Sequence, residues 1–209
     1  MSLSPLSRFA APLAIVAGAL VIVTRLVIML TTPTEIEPLT AYVLTTTHAV
    51  NSILSIVAFA LLAVALVAVY ELEAREASVL GAIGVSAAIV GTVFMAGDWW
   101  YEAFAVPRLA EVAPEAIETF VGGRLLAGGL LSFVLFGIGW VLFGVASQRA
   151  HVFPGAVSIG IVIGGLLSGV PIGLAYLSGM AILGIAFVGL GAWVRQTSSS
   201  AGGVAESAA

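Results

Sequence analysis

Residues 78–102 read SVLGAIGVSAAIVGTVFMAGDWWYE, and this stretch decides the fold. From Ser78 to Tyr101 the run carries Asp98 as its one charged residue. At about 1.5 Å of rise per residue it is long enough to cross a hydrocarbon core of roughly 30 Å. The stretch therefore predicts a membrane-spanning helix. At its end, Asp98 and Glu102 lie one helical turn apart and share a helix face among large aromatic residues.

The rest of the chain repeats this pattern. Of the 209 residues, 61% are apolar and 9% are charged, and the mean hydropathy is +1.19, whereas soluble chains are about one quarter charged. We expect an all-α integral membrane protein, a six-transmembrane-helix bundle in a single domain over residues 1–195. Residues 102–122 predict an interfacial helix or ordered loop, with a helix start at Pro114, and the Ser-, Gly- and Ala-rich residues 196–209 predict a disordered tail. The predicted spans cover residues 9–30, 46–70, 78–101, 124–146, 154–170 and 174–194.

Arginines set the expected orientation. With six spans, Arg8, Arg75, Arg149 and Arg195 fall on one side, which the positive-inside rule makes cytoplasmic. Both termini are then cytoplasmic, and the protein is a multi-pass protein of the cell membrane. The alternative has five spans, with residues 153–194 forming one crossing and a re-entrant piece.

Missing residue types and motifs exclude several functions. The chain has no cysteine, so thiolate chemistry and cysteine-ligated metals are excluded. It has no lysine, which removes Schiff-base chemistry such as a retinal linkage. The net charge of −4 comes without a basic patch, which argues against nucleic acid. No phosphate-binding loop, nucleophile elbow or metal-ligand spacing is present, so we expect neither a metal site nor a cofactor.

Small residues in the fifth predicted span indicate close helix packing. Gly160 and Gly164 are four residues apart, as are Gly165 and Gly169, and this spacing lets helix backbones approach closely in lipid. Packing within the bundle is the favoured interpretation. A homodimer or a partner helix on this face is the alternative.

Polar residues in or beside the spans predict a binding site in the outer half of the bundle. Arg25 lies about 8 Å below the outer end of span one, so it must reach the surface or pair with Asp98 or Glu102. His48, Asn51 and Ser55 form a polar stripe, which favours a position facing the bundle interior. The expected ligand-binding residues are Arg25, His48, Asn51, Asp98, Trp99, Trp100, Glu102 and Arg124.

Several of these residues have competing interpretations. His48 fits an interhelical hydrogen bond, a proton-handling residue beside Asp98, or a haem or metal ligand. Trp99 and Trp100 fit an aromatic belt at the membrane interface or a stacking wall for a flat ligand. Arg124 begins a helix, where the dipole disfavours a cation, so a carboxylate, an anionic ligand or a lipid headgroup is expected near it.

The chain also resembles a class of small, uncharacterised multi-pass bacterial membrane proteins. The resemblance rests on His48 near the start of span two, the Trp99–Leu109 segment with Phe104 and Pro107, and Leu142-Phe143-Gly144 in span four. It implies the membrane-bundle fold and no particular activity.

The leading functional hypothesis is a protein that binds or transports a small amphipathic molecule in the polar pocket. One alternative is an accessory or assembly subunit whose polar cluster is structural. The other is an intramembrane acid–base enzyme that uses Asp98, Glu102 and His48, although the residue pattern favours a protein without catalytic activity.

Overall fold

A computed structural model describes residues 8–33, 38–73, 79–118 and 123–207, with side chains throughout except at 73, 118, 123–125 and 198–207. The regular elements in this part of the chain are eight α-helices. Six are long and two consist of a single short turn of helix. In chain order they are α1 (Ala10–Thr31), α2 (Leu39–Val43), α3 (Thr46–Glu73), α4 (Val79–Val112), α5 (Pro114–Glu118), α6 (Gly123–Ala150), α7 (Gly155–Ser168) and α8 (Gly173–Ser207).

The six long helices form a closed ring. Each of α1, α3, α4, α6, α7 and α8 packs against the next one in this order, and α8 closes the ring against α1. The closure is tight because Gly18 of α1 lies against Gly184 of α8. The short helices α2 and α5 lie together beside the end of α4, where Val43, Val106 and Ile117 are buried against one another.

The centre of the ring is filled by aromatic side chains. Trp140 is fully buried, and its ring lies 5.9 Å from Phe136, 6.0 Å from Phe143 and 5.2 Å from Phe187, measured between centroids. The indole N–H of Trp140 donates to the Thr92 hydroxyl at 3.1 Å, which satisfies the one polar group of the indole. Phe59 extends this cluster from α3, at 5.7 Å from Phe136.

Five helices in the described part of the chain are long and apolar enough to cross a membrane, namely α1, α3, α4, α6 and α8. Their most apolar windows have mean hydropathies between 2.0 and 2.8. The surface of the bundle also presents many large apolar side chains, such as Leu30, Val79 and Ile185, as expected where the solvent is lipid. These features fit a multi-pass membrane protein. The remaining long helix, α7, has 14 residues.

Three segments differ from the sequence prediction. The interfacial segment predicted from residue 102 is instead the continuation of α4, which runs through Pro107 to Val112. A proline removes one backbone hydrogen bond, and membrane helices tolerate this loss. The predicted loop 31–41 ends inside α2, and α8 continues to Ser207 across most of the segment predicted to be disordered. The helix start predicted at Pro114 is confirmed by α5.

Packing within the bundle accounts for the four glycines of the fifth predicted span. Gly164 lies against Leu183 of α8, and Gly160 lies near Ala186 of the same helix. On the other side of α7, Gly165 packs on Trp140, and Gly169 lies against Gly137 of α6. The four glycines therefore pack within the bundle, as the favoured interpretation predicts.

Candidate functional site

The site lies at one end of the tight contact between α4 and α6. Along α4, Gly84, Ala88 and Gly91 face α6 so closely that a Cβ atom at Gly91 would lie 2.5 Å from the Cα of Phe136. The same face continues at helical spacing through Met95 and Asp98 to Glu102. At Gly128 and Gly129 of α6, by contrast, a Cβ atom would meet nothing within 4 Å. The tight contact between the two helices therefore does not extend to these two glycines.

A cavity of about 670 Å³ occupies this end of the bundle, which we call the Asp98 end. Its volume lies within the range of small-molecule sites. Side chains and backbone from α1, α2, α3, α4, α6 and the α7–α8 turn form its wall, and most of the wall is apolar or aromatic. The lining residues are Ile28, Thr32, Tyr42, His48, Met95, Asp98, Trp99, Tyr101, Glu102, Leu126, Gly128, Gly129, Leu130, Phe133 and Pro171.

The two acids meet in this cavity, as their spacing on α4 predicts. Asp98 and Glu102 both line the wall, and the Asp98 carboxyl group lies beside the Ser132 hydroxyl of α6. Among the described side chains, no arginine or histidine nitrogen lies within 4 Å of the Asp98 carboxylate. Arg108, at the far end of α4, is mostly exposed and pairs with Glu111 at 2.7 Å.

His48 connects α3 to α4 at the edge of the cavity. Its Nε2–H donates to the Glu102 backbone carbonyl at 3.0 Å, and the same nitrogen lies 3.7 Å from Oε2 of the Glu102 side chain. Tyr42 of α2 packs edge-on against the imidazole at 5.3 Å between centroids. In the described part of the chain His48, Asp98 and Glu102 do not come together as a group of metal ligands.

Arg25 is buried, and none of the described carboxylates pairs with it. Only 3% of the residue is exposed, so the prediction that it reaches the surface is wrong. The alternative prediction, pairing with Asp98 or Glu102, is wrong as well, because no described carboxylate oxygen lies within 4 Å of its guanidinium group. Arg25 donates instead to the Tyr176 hydroxyl at 3.0 Å and to Ser55 Oγ at 2.6 Å.

Aromatic faces supply the remaining stabilisation of this cation. The guanidinium carbon of Arg25 lies 5.1 Å from the centroid of the Trp99 ring, 5.5 Å from Tyr176 and 5.7 Å from Phe59. Each ring face attracts a cation, most strongly where water is excluded. The Nε atom of Arg25 is buried and has no hydrogen-bond partner among the described residues. Trp99 therefore contacts Arg25 and also lines the cavity.

The predicted polar stripe of α3 is confirmed as inward-facing, since His48, Asn51 and Ser55 are all buried. Asn51 donates from Nδ2 to Thr31 Oγ1 at 3.0 Å and so ties α3 to the end of α1. Ser55 donates to the Asn51 carbonyl at 2.9 Å while it accepts from Arg25. Asn51 and Ser55 hold the helices together below the cavity and do not line it.

The two tryptophans have different positions. Trp99 lines the cavity, whereas Trp100 is 56% exposed on the outer surface beside Phe104. Arg124 lies in the first turn of α6, but its side chain falls outside the described residues. Of the eight predicted ligand-binding residues, the structure therefore brings His48, Asp98, Trp99 and Glu102 to one cavity.

A second, smaller cavity lies behind the first. It has about 120 Å³ and is covered by α2 and α5, with Leu39, Val43, Val106 and Ile117 in its wall. Tyr42, His48 and Glu102 line both cavities. The His48–Glu102 contact therefore belongs to the walls of both cavities.

Sequence reasoning missed several residues of the site. Tyr176 and Ser178 carry the hydroxyl groups of a span that is otherwise apolar, and this was the available signal that Tyr176 has a polar partner in the bundle. Gly128 and Gly129 gave no distinguishing signal, because glycines that permit close packing look the same in sequence. Tyr42 belongs to the short helix that the sequence did not predict.

No protein-family model matches the chain, and comparisons with curated proteins and with solved structures give no match. The resemblance to small multi-pass bacterial membrane proteins therefore rests on the quoted sequence motifs alone.

Proposed function

We propose that this protein binds or transports a small amphipathic molecule in the cavity at the Asp98 end. The observation that carries the proposal is the cavity of about 670 Å³, in which two carboxyl groups and a histidine stand in a largely apolar and aromatic wall. Ligand sites typically combine an apolar surface with a few converging polar groups. An amphipathic molecule matches both parts of this wall.

Glycine placement gives independent support. A glycine inside a helix costs about 0.5–1 kcal/mol relative to alanine, and most glycines in the bundle offset that cost by permitting backbone contact. Gly128 and Gly129 permit none, because a Cβ atom at either position would meet nothing within 4 Å. Both line the cavity. Larger residues at these two positions would occupy part of the cavity.

Native mass spectrometry on gently purified protein tests this proposal. We expect a reproducible extra mass on the wild-type protein, and we expect Gly129→Trp to remove most of it because the indole would fill the cavity. Gly189→Trp is the matched control, since Gly189 is an exposed helical glycine on α8 with only Val157 near its Cβ position, at 3.9 Å. An absorption spectrum of the same sample shows whether the bound molecule is a haem or another pigment.

Equal adducts on the wild type and on Gly129→Trp would place any ligand outside the cavity and contradict the proposal. A bare mass for all three proteins, together with identical uptake or binding of amphipathic probes by all three, would contradict it too.

We further propose that α7 crosses the membrane as a short sixth span, so that both termini are cytoplasmic and the cavity faces outward. Gly160 and Gly164 of α7 lie beside Ala186 and Leu183 of α8, while Gly165 and Gly169 lie beside Trp140 and Gly137 of α6, which makes the three helices antiparallel neighbours. The start of α1 lies beside Gly191 of α8, at the end opposite to Asp98. Arg8, Arg149 and Arg195 belong to that opposite end and favour the cytoplasm.

Single-cysteine labelling tests the orientation, because the natural chain has no cysteine to react. With an impermeant maleimide on intact cells, we expect Leu44→Cys and Ile172→Cys to be labelled, and Gln148→Cys and Thr197→Cys to be labelled only after permeabilisation. All four positions are exposed. Labelling of Thr197→Cys from outside would show that α7 does not cross.

A further inference from the structure

We infer that the ligand is a single-chain amphiphile with a cationic amine headgroup, whose headgroup lies at Asp98 and Glu102 and whose hydrocarbon chain lies along the gap between α4 and α6. The inference rests on the proposed function and specifies its ligand class. It follows from the charges, the ring faces and the shape of one cavity.

The charged groups of the wall are acidic. Asp98 and Glu102 contribute carboxyl groups, and among the described side chains no arginine lines the cavity. Arg25 does not line the cavity and is already bonded to Tyr176 and Ser55. A carboxylate in a largely apolar site is stabilised by a positive partner. Among the described side chains Asp98 has the Ser132 hydroxyl beside it and no cation within 4 Å, and an ammonium headgroup would supply one.

The rings around the acids fit the same headgroup. Trp99, Tyr42 and Phe133 all line the cavity, and Tyr101 follows on α4. An aromatic face attracts an alkylammonium group and keeps its methyl groups out of water. An anionic headgroup would face two acidic groups at this position, and a neutral one would leave Asp98 without a counter-ion among the described side chains.

The gap between α4 and α6 fits a hydrocarbon chain. Gly128 lies one turn from Ser132 on the face of α6 that meets α4, and Leu126 and Leu130 flank it with 40% and 42% exposure. The glycines leave a groove without side chains, and the leucines give it apolar edges. The groove leads from the acids to the surface of the bundle, where lipid lies in the membrane.

The test uses three probes with the same ten-carbon chain: decyltrimethylammonium, decanoate and decanol. Native mass spectrometry titrations of the full chain in one detergent give a dissociation constant for each. We expect decyltrimethylammonium to bind most tightly, with one molecule per chain. Asp98→Asn and Glu102→Gln should each weaken this binding by about tenfold or more, because each removes a carboxylate from the headgroup. Glu111→Gln, an acid of α4 outside the cavity, should leave the binding unchanged.

The tail is tested separately. Gly128→Phe should weaken the binding of decyltrimethylammonium and spare tetramethylammonium, which has the headgroup without the chain. Gly189→Phe is the matched control and should alter neither. Arg124→Gln removes a positive charge from the first turn of α6, so it should leave the binding of the cation unchanged or strengthen it.

Other outcomes overturn the inference in distinguishable ways. If decanoate or decanol binds as tightly as the cation, or if Arg124→Gln abolishes binding, the ligand class is wrong. The cavity itself still stands if Gly128→Phe weakens whichever probe binds. If no probe binds above the detergent background and neither glycine variant differs from the wild type, the proposed function fails together with the inference.

Discussion

Gly139→Ala should destabilise the bundle by about 2–3 kcal/mol, the cost of overpacking a tight contact. A Cβ atom at Gly139 would overlap the backbone of Ala87 and Ala88 on α4. Backbone atoms cannot move aside as a flexible side chain does, so α6 would have to shift away from α4 along the whole seam. Thermal unfolding in one fixed detergent, followed by circular dichroism, measures the change.

Gly97→Ala is the matched control for this substitution. It introduces the same methyl group on the neighbouring helix, at a position where nothing lies within 4 Å. Because alanine is the better helix former, we expect stability to be unchanged or to rise by up to about 1 kcal/mol. Similar destabilisation by both variants would show that α4 and α6 do not make the close contact described at Gly139.

Trp140→Ala should be more damaging, with a loss of about 3–5 kcal/mol. Trp140 is fully buried among Phe136, Phe143 and Phe187. Lipid offers no hydrophobic gain between helices, so much of this stability comes from close packing, and truncation leaves a void at the centre of the ring. The substitution also leaves the Thr92 hydroxyl without the indole donor that it now accepts from.

Trp100→Ala provides the comparison, because Trp100 is 56% exposed on the outer surface. It should change the unfolding temperature little in the same detergent, since surface substitutions usually alter stability by about 0.5 kcal/mol or less. Trp140→Phe should lie between the two variants, as it keeps the aromatic packing and loses the hydrogen bond to Thr92. Equal sensitivity at positions 100 and 140 would contradict a core centred on Trp140.

Much of the fold could be predicted from the sequence because the relevant signals are local. Apolar runs of sufficient length identify helices in lipid, and each predicted span overlaps one of the long helices over most of its own length. The polar stripe of His48, Asn51 and Ser55 was readable for the same reason, since helical spacing alone puts these residues on one face. The same spacing put Asp98 and Glu102 together on α4.

The contacts between distant elements could not be predicted in this way. Arg25 was given the wrong partner because nothing near it in sequence shows that α8 brings Tyr176 to its side. Gly91 and Gly128 are both glycines of apolar helices, yet a Cβ atom at Gly91 would overlap the backbone of α6, whereas one at Gly128 would meet nothing within 4 Å. That difference depends on what lies opposite each position on other helices, and no single segment encodes it.

The burial of Arg25 also limits where a bound cation can go. The positively charged guanidinium group of Arg25 lies against Trp99 and Phe59. Phe59, Phe136 and Trp140 fill the centre of the bundle. A like charge facing a closed interior bars cations in the way that pore arginines do in channels. In this conformation the membrane voltage cannot drive the proposed ligand through the protein, and the ligand leaves through the mouth by which it entered. When the cationic probe is added to only one side of vesicles that contain the protein, the cavity should therefore be occupied from one side of the membrane and not from the other.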